Sequence, residues 1–306
     1  MSNLNMFKKL SAIGKKCYRL NVWREKRRYY TFMLRALFNR TRMKKIDTFF
    51  TKNDELRQIA DIYPYGYEQP TRAFFYCGST FDERIAVVEN HMDFMLKLFK
   101  FDIVKEIYSQ KEFLLWNDAD ILDNRLKLVM FFHSGQRKEG LLSLILRLDK
   151  ETFYQIMFWL SPDKNGEPSL FIGAMQGPNI EDARDAVKKV TKACHSLRPK
   201  NFILYAVQAF ARALQIKHIY AVTNQGYYAN NHVRVDRKLK TDFSEFWREA
   251  GGWETGDPRF YELPLTEKRK TMEEVPTRKR AVYRRRFVLM DEIDEMVAEK
   301  IMKLLK

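Results

Sequence analysis

Residues 125–176 constrain the fold more than any other part of the chain. They hold four apolar runs: 126–133 (LKLVMFFH), 140–148 (GLLSLILRL), 152–160 (TFYQIMFWL) and 168–176 (PSLFIGAMQ). Short polar breaks containing Gly, Asp or Pro separate them. This pattern predicts an antiparallel meander joined by hairpins. The apolarity is continuous rather than alternating, so the strands are expected to be covered on both faces.

Around this meander the sequence reads as helical. Leu4, Phe7, Leu10, Ile13, Cys17 and Leu20 recur at spacings of three or four, and Tyr30, Met33, Leu34, Leu37 and Phe38 continue the stripe. A second helical piece is expected over 52–61, and a loop over 63–77, which contains Pro64, Gly66 and Pro70. Thr80 and Glu83 form a capping-box pattern that opens a helix through Phe99. Residues 102–124 are ambiguous. After the meander, helices are expected over 179–196 and 199–215, the second with Pro199 in its first turn. A strand follows at 217–223. A short helix at 242–250 stops at Gly251-Gly252, and 259–265 forms a last strand. A basic stretch, 268–286, precedes a terminal helix.

The fold class is therefore α+β, with a mixed, mostly antiparallel sheet and flanking helices. The chain divides into a basic helical segment, 1–62, and a larger α+β domain, 63–306. Of the net charge of +16, the first 50 residues carry +12, because 14 Lys/Arg face only Glu25 and Asp47. Three readings remain open for this segment. Its apolar stripe packs on the core; or residues 1–45 meet an anionic membrane surface; or, less favoured, cations and rings meet nucleic acid. Three widely spaced cysteines without CxxC argue against a disulfide framework or a zinc site. No secretory signal and no spanning helix is expected, which places the protein in the cytoplasm.

Several segments stand in a recognisable order: FFHSGQRKEGLLS (131–143), FIGAMQGP (171–178), TKACHSLRPK (191–200), IYAVTN (219–224), DFSEFWREAGG (242–252) and KRAVYRRRFVLMDEI (279–293). From about residue 70 to the end, this order resembles the VirK/YbjX family of bacterial proteins, a domain of unknown function. Ser196 departs from the pattern, where Gly is commoner. The resemblance implies a cytosolic or inner-membrane-associated factor linked to the cell envelope, virulence and resistance to antimicrobial peptides. It brings no reaction with it.

Residues 168–252 are also similar to the core of GNAT-type N-acyltransferases. There, a helix N-terminus holds the pyrophosphate of acyl-CoA through free N–H groups and its dipole. That likeness implies an acyl-CoA or other acyl thioester donor, no metal, and a small-molecule or peptide amine acceptor. Arg198 and Lys200 would meet donor phosphate in place of the missing glycine-rich cradle, with Lys192 beside them. His195 or Glu249 would handle the amine proton, and Gln176 and Gly177 would orient the acyl carbonyl.

Plainer readings stand beside these. Gln176-Gly177-Pro178 also suits a strand-terminal turn. The Thr191–Lys200 cluster also suits a helix C-terminus, and Glu249 a solvated helix face. His91, His133 and His232 lack ligand spacing and read as packed residues. Asp118, Asp120 and Asp123 read as loop. RKRAVYRRR (278–286) reads as a cationic patch or the polar side of an edge strand. Without G-x-S-x-G, GxGxxG or GxxxxGK, serine-hydrolase, kinase and P-loop chemistries are excluded.

Overall fold

The computed structural model describes residues 3–118, 121–123, 125–231 and 242–306. Helices α1 (Asn3–Cys17), α2 (Trp23–Phe38), α3 (Arg40–Phe50), α4 (Asp54–Ile62), α5 (Tyr65–Glu68), α6 (Phe81–Leu98) and α7 (Phe101–Tyr108) come first. Five strands follow: β1 (Phe113–Asn117), β2 (Leu126–Phe131), β3 (Leu142–Leu148), β4 (Glu151–Pro162) and β5 (Pro168–Gln176). Helices α8 (Ala183–Ala193) and α9 (Pro199–Ala213) then lead to β6 (His218–Val222). The chain ends with α10 (Phe243–Glu249), β7 (Trp253–Glu254), β8 (Phe260–Leu263) and α11 (Arg280–Leu304).

The protein is α+β. Among the described residues, eight strands make one mixed sheet in the order β1-β2-β3-β4-β5-β6-β8-β7. All neighbours are antiparallel except β5 and β6, which run parallel through the α8–α9 crossover. The expected meander is present, lengthened at one edge by β1, which pairs with β2. The sheet is covered on both faces. Phe158 of β4 meets Phe210 of α9 at 5.4 Å between ring centres. The next residue, Trp159, points the other way and lines a cleft with Ala86 and Val87 of α6.

Local chemistry sets the helix ends. The Thr80–Glu83 capping box forms in both directions. Pro199 opens α9, where its missing N–H costs nothing. Gly251, at φ +85°, ends α10 in the left-handed region that glycine enters freely.

Two expectations need correction. Residues 63–77 are not simply loop: they contain α5 and a 3-10 turn at Gln69–Thr71. RKRAVYRRR is not an edge strand but leads into α11. The residues beyond it, Leu289, Met290, Ile293, Val297 and Ile301, are buried at helical spacing, so the packed stripe extends the helix back through the cations.

The N-terminal helices also differ in detail from one continuous stripe. In α2, Tyr29, Phe32, Met33 and Ala36 are buried, while Tyr30, Leu34 and Phe38 face outward. The inner stripe packs the segment onto the rest of the chain. Tyr67 donates to the buried Asp47 at 2.9 Å, and Phe50 lies against Gly66.

His91 of α6 is a packed residue. Its Nδ1 accepts the Leu160 N–H of β4 at 2.9 Å, and its Nε2 lies 2.9 Å from the Tyr108 hydroxyl. Burial pushes its pKa down to about 3, against a smaller opposing effect of a hydrogen bond at Leu141. The unfolded chain binds this proton near the ordinary histidine value of about 6.5. Between those two values the unfolded state therefore holds more protons. Stability is expected to fall as pH drops through that window, by up to about 1.4 kcal/mol per pH unit from this group. Urea midpoints measured from neutral pH down to about pH 4 check this. His91→Gln should flatten the acid slope.

Candidate functional site

The parallel pair stops pairing before β5 ends, and other parts of the chain fill the space between its strands. β5 and β6 pair from Ser169↔His218 to Ile172↔Ala221. Past that point β5 runs on to Gln176, while β6 ends at Val222. Gly173 is the first residue of β5 beyond the pairing, and the backbone oxygen of Glu139 presses against it. A Cβ at position 173 would stand 1.8 Å from that oxygen. Gly226, after β6, is equally tight: a Cβ there would stand 2.0 Å from the Arg259 carbonyl oxygen. Residues 75–77 tie the two sides together. Phe75 N–H donates to Lys138 O, Cys77 N–H to Gly226 O, and Tyr76 bridges to Tyr227.

Glu139 is 5% exposed. Its Oε1 accepts the Tyr227 hydroxyl at 2.8 Å, and its Oε2 accepts Gln176 Nε2 at 2.8 Å. Behind Gln176 runs a one-directional relay. Gln155 Nε2 donates to Gln176 Oε1 at 2.7 Å, Gln136 Nε2 to Gln155 Oε1 at 2.6 Å, and the His133 N–H to Gln136 Oε1 at 3.2 Å. Each amide passes its dipole to the next, so the chain polarises towards the carboxylate. Burial raises the Glu139 pKa; the bonds from Tyr227 and Gln176 and the charge of Lys138 only partly oppose it. A buried carboxyl poised in this way is able to exchange a proton with a bound group.

The residues expected to form the site fall into three places. Gln176 belongs to the relay, and Gly177 follows it, packed near the Tyr154 ring. Lys200 and Glu249 meet each other: Nζ lies 3.0 Å from Oε2, and the ammonium also sits 4.7 Å from the centre of the Phe246 ring. Lys192, His195 and Arg198 line a third place, an open hollow of about 750 Å³ between α8, α9 and α11 that also holds Lys188 and Arg285. His195 and Ser196 both adopt positive φ, 51° and 65°, the left-handed conformation that glycine enters more freely than other residues. The Arg286 guanidinium clamps this corner by donating to both of their carbonyls, each at 3.1 Å. Burial, then Arg285 and Arg286, lower the His195 pKa.

Glu139, Tyr227, Gln155 and Gln136 were not singled out by the sequence. The available signal was Gly173 inside an apolar strand, which marks close backbone approach. His133 accepts the Gly135 N–H in a local turn. Asp118 is fully buried and caps the N–H of Leu126 at 3.2 Å. His232 and Asp120 lie outside the described residues. Among the described residues, no group of three or more His, Cys, Asp or Glu side chains is placed to hold a metal.

On the sheet face under α6 lies a further cleft of about 670 Å³. Its floor is a row of stacked rings: Trp159 on Phe171 at 5.5 Å, Phe171 on Tyr220 at 5.0 Å, and Tyr220 on His218 at 5.9 Å. Its walls carry Glu83, Asp163, Asp257 and Glu262 against Arg259 and Lys164. Glu262 lies 2.7 Å from His218, and Asp257 holds Arg259.

The geometry thus defines an α+β protein whose mixed sheet carries a polar relay ending on the buried Glu139, where the parallel pair of the described strands parts. The chain belongs to the family described as "Protein of unknown function (DUF535)", the VirK/YbjX family, whose pattern matches residues 21–299. It is 32% identical over 171 residues to the Escherichia coli (strain K12) protein named "Uncharacterized protein YbjX", covering 51% of this chain and 52% of that one. A Haemophilus influenzae (strain ATCC 51907 / DSM 11121 / KW20 / Rd) protein is 25% identical over 275 residues, covering 88% of each chain. A Mannheimia haemolytica protein named "Membrane protein LapB" is 25% identical over 186 residues, covering 60% of this chain and 78% of that one. The match to the first of these spans about half of that relative's length. No solved structure matches. No described helix is long and apolar enough to cross a membrane.

Proposed function

We propose that this protein is an envelope-linked N-acyltransferase that moves an acyl group from a thioester, such as acyl-CoA, to an amine. The observation that carries this is the parting of β5 and β6 beside a buried carboxylate, Glu139, that is wired to Gln176 and Tyr227. The likeness to a GNAT-type core draws support from the same place: one parallel pair within an otherwise antiparallel sheet, with a helix returning between its strands.

In the proposed reaction the amine nitrogen attacks the thioester carbonyl carbon, and the C–S bond breaks. The amine proton passes to Glu139, and the departing sulfur takes up a proton to leave as a thiol. Gln176, exposed at the strand end beside Gly177, orients the acyl carbonyl. Glu139 takes the proton in place of Glu249, whose carboxylate is paired with Lys200. Arg198 and Lys192, in the open hollow before α9, hold donor phosphate, and His195 lends a hydrogen bond there.

Calorimetric titration with CoA and palmitoyl-CoA tests the donor assignment. Binding to the wild-type chain is expected, about tenfold weaker for Arg198→Ala, the equivalent of one charge-assisted contact. Absence of binding would remove the donor and with it the transferase reading.

A further inference from the structure

We infer that the outer face of α2 docks this protein onto an anionic lipid bilayer. Trp23, Tyr30, Leu34 and Phe38 are 77%, 55%, 56% and 85% exposed. Their spacings of seven, four and four place them on one side of the helix. The opposite side, through Tyr29, Phe32, Met33 and Ala36, already anchors α2 to the core. Tyr30 touches the edge of the Tyr29 ring at 5.4 Å, but most of the surface of these four large side chains is left to solvent in the folded monomer. A contiguous apolar patch of this kind marks an interaction surface.

The surrounding charge selects the partner. Arg24, Lys26, Arg27 and Arg40 flank the stripe and make no side-chain ion pair or hydrogen bond among the described residues. Their neighbours are committed elsewhere: Arg28 to Glu25, Arg42 to Asp82, and Arg35 to the Thr71 carbonyl. Beside the far end of the stripe, Phe7 and Leu37 line a groove of about 860 Å³ rimmed by Arg40 and Lys44. The groove's one carboxylate, Asp47, is held by Lys9 and Tyr67. Free cations around exposed rings and aliphatic side chains complement a layer that is anionic at its surface and apolar beneath.

Other occupants fit less well. Leu34 offers a phosphate backbone nothing, and nucleic acid has no apolar layer to receive it. A second copy would bring two strongly basic faces together. The inference is independent of the transferase reading, because no residue of the relay or of the Arg198 hollow takes part.

The test is co-sedimentation of the full chain with vesicles of phosphatidylcholine alone and of phosphatidylcholine with phosphatidylglycerol. Binding to the anionic vesicles alone, weakened by salt, is expected. Trp23→Ser with Phe38→Ser should weaken it at least about tenfold through lost apolar burial. Arg24→Gln with Arg27→Gln should weaken it about fivefold per cation removed. All four side chains are exposed, so unchanged urea midpoints should accompany these losses. Equal sedimentation of the wild type and the Trp23/Phe38 variant would overturn the inference. So would a dimer by light scattering that the same two substitutions abolish, or RNA binding lost with them while vesicles stay unbound.

Discussion

Replacing Glu68 by alanine is expected to cost about 3–5 kcal/mol of stability. Glu68 ends α5 and is fully buried. Its Oε2 accepts Arg137 Nε at 3.0 Å, and its Oε1 accepts the Tyr18 hydroxyl at 2.5 Å. Arg72 approaches to 3.7 Å. Burial works against the charge of Arg137, but Glu68 outweighs it and holds the guanidinium's pKa above its ordinary value. Alanine would leave that cation buried without its counter-charge, which is costlier than losing a surface pair. It would also strip Tyr18 of its acceptor and so loosen the contact between α1 and the turn after β2. Urea unfolding of Glu68→Ala, Arg137→Met and the double variant measures this. The double variant should lose clearly less than the two single losses together, because it buries no orphaned charge. A loss below about 1 kcal/mol for Glu68→Ala, the range of exposed pairs, would contradict a buried hub.

The same residues explain what the sequence could disclose. The meander was legible because four continuous apolar runs with short breaks leave few other arrangements. The ends of α6, α9 and α10 were legible because Thr80, Glu83, Pro199 and Gly251 act on their own neighbours. β1 was not, since FLLWN is short and its strand character depends on pairing with β2. Glu68 and Arg137 stand 69 residues apart, and Tyr227 stands 88 residues from Glu139. Such pairs carry no local signature, so a hidden charged hub and the core of the candidate site escaped pattern reading. Gln176 could be singled out because a polar residue closing an apolar strand is visible locally. Its partner was hidden, because the approach of Glu139 to Gly173 exists only once the sheet has formed. Which residues of α2 face outward could not be read for a related reason. Helical spacing shows that a stripe exists, but which of two adjacent stripes meets the core depends on packing.

The second large effect is expected at Glu139. Glutamine has nearly the same shape and keeps an oxygen to accept the Tyr227 hydroxyl, so Glu139→Gln should fold. It cannot take a proton from an amine. Loss of a positioned general base costs about 10²–10⁴ in rate. Because burial raises the pKa of this carboxyl, the wild-type rate should climb with pH through a range above that of an ordinary glutamate. The direct measurement is thiol release from palmitoyl-CoA, with ethanolamine or a lysine-containing peptide as acceptor, followed across pH for both chains. Amine-dependent release by the wild type, with the rate and its rising limb lost in Glu139→Gln, is the predicted result. Equal release by the two chains, or a wild type that releases no thiol with any amine, would contradict group transfer at the parting of β5 and β6.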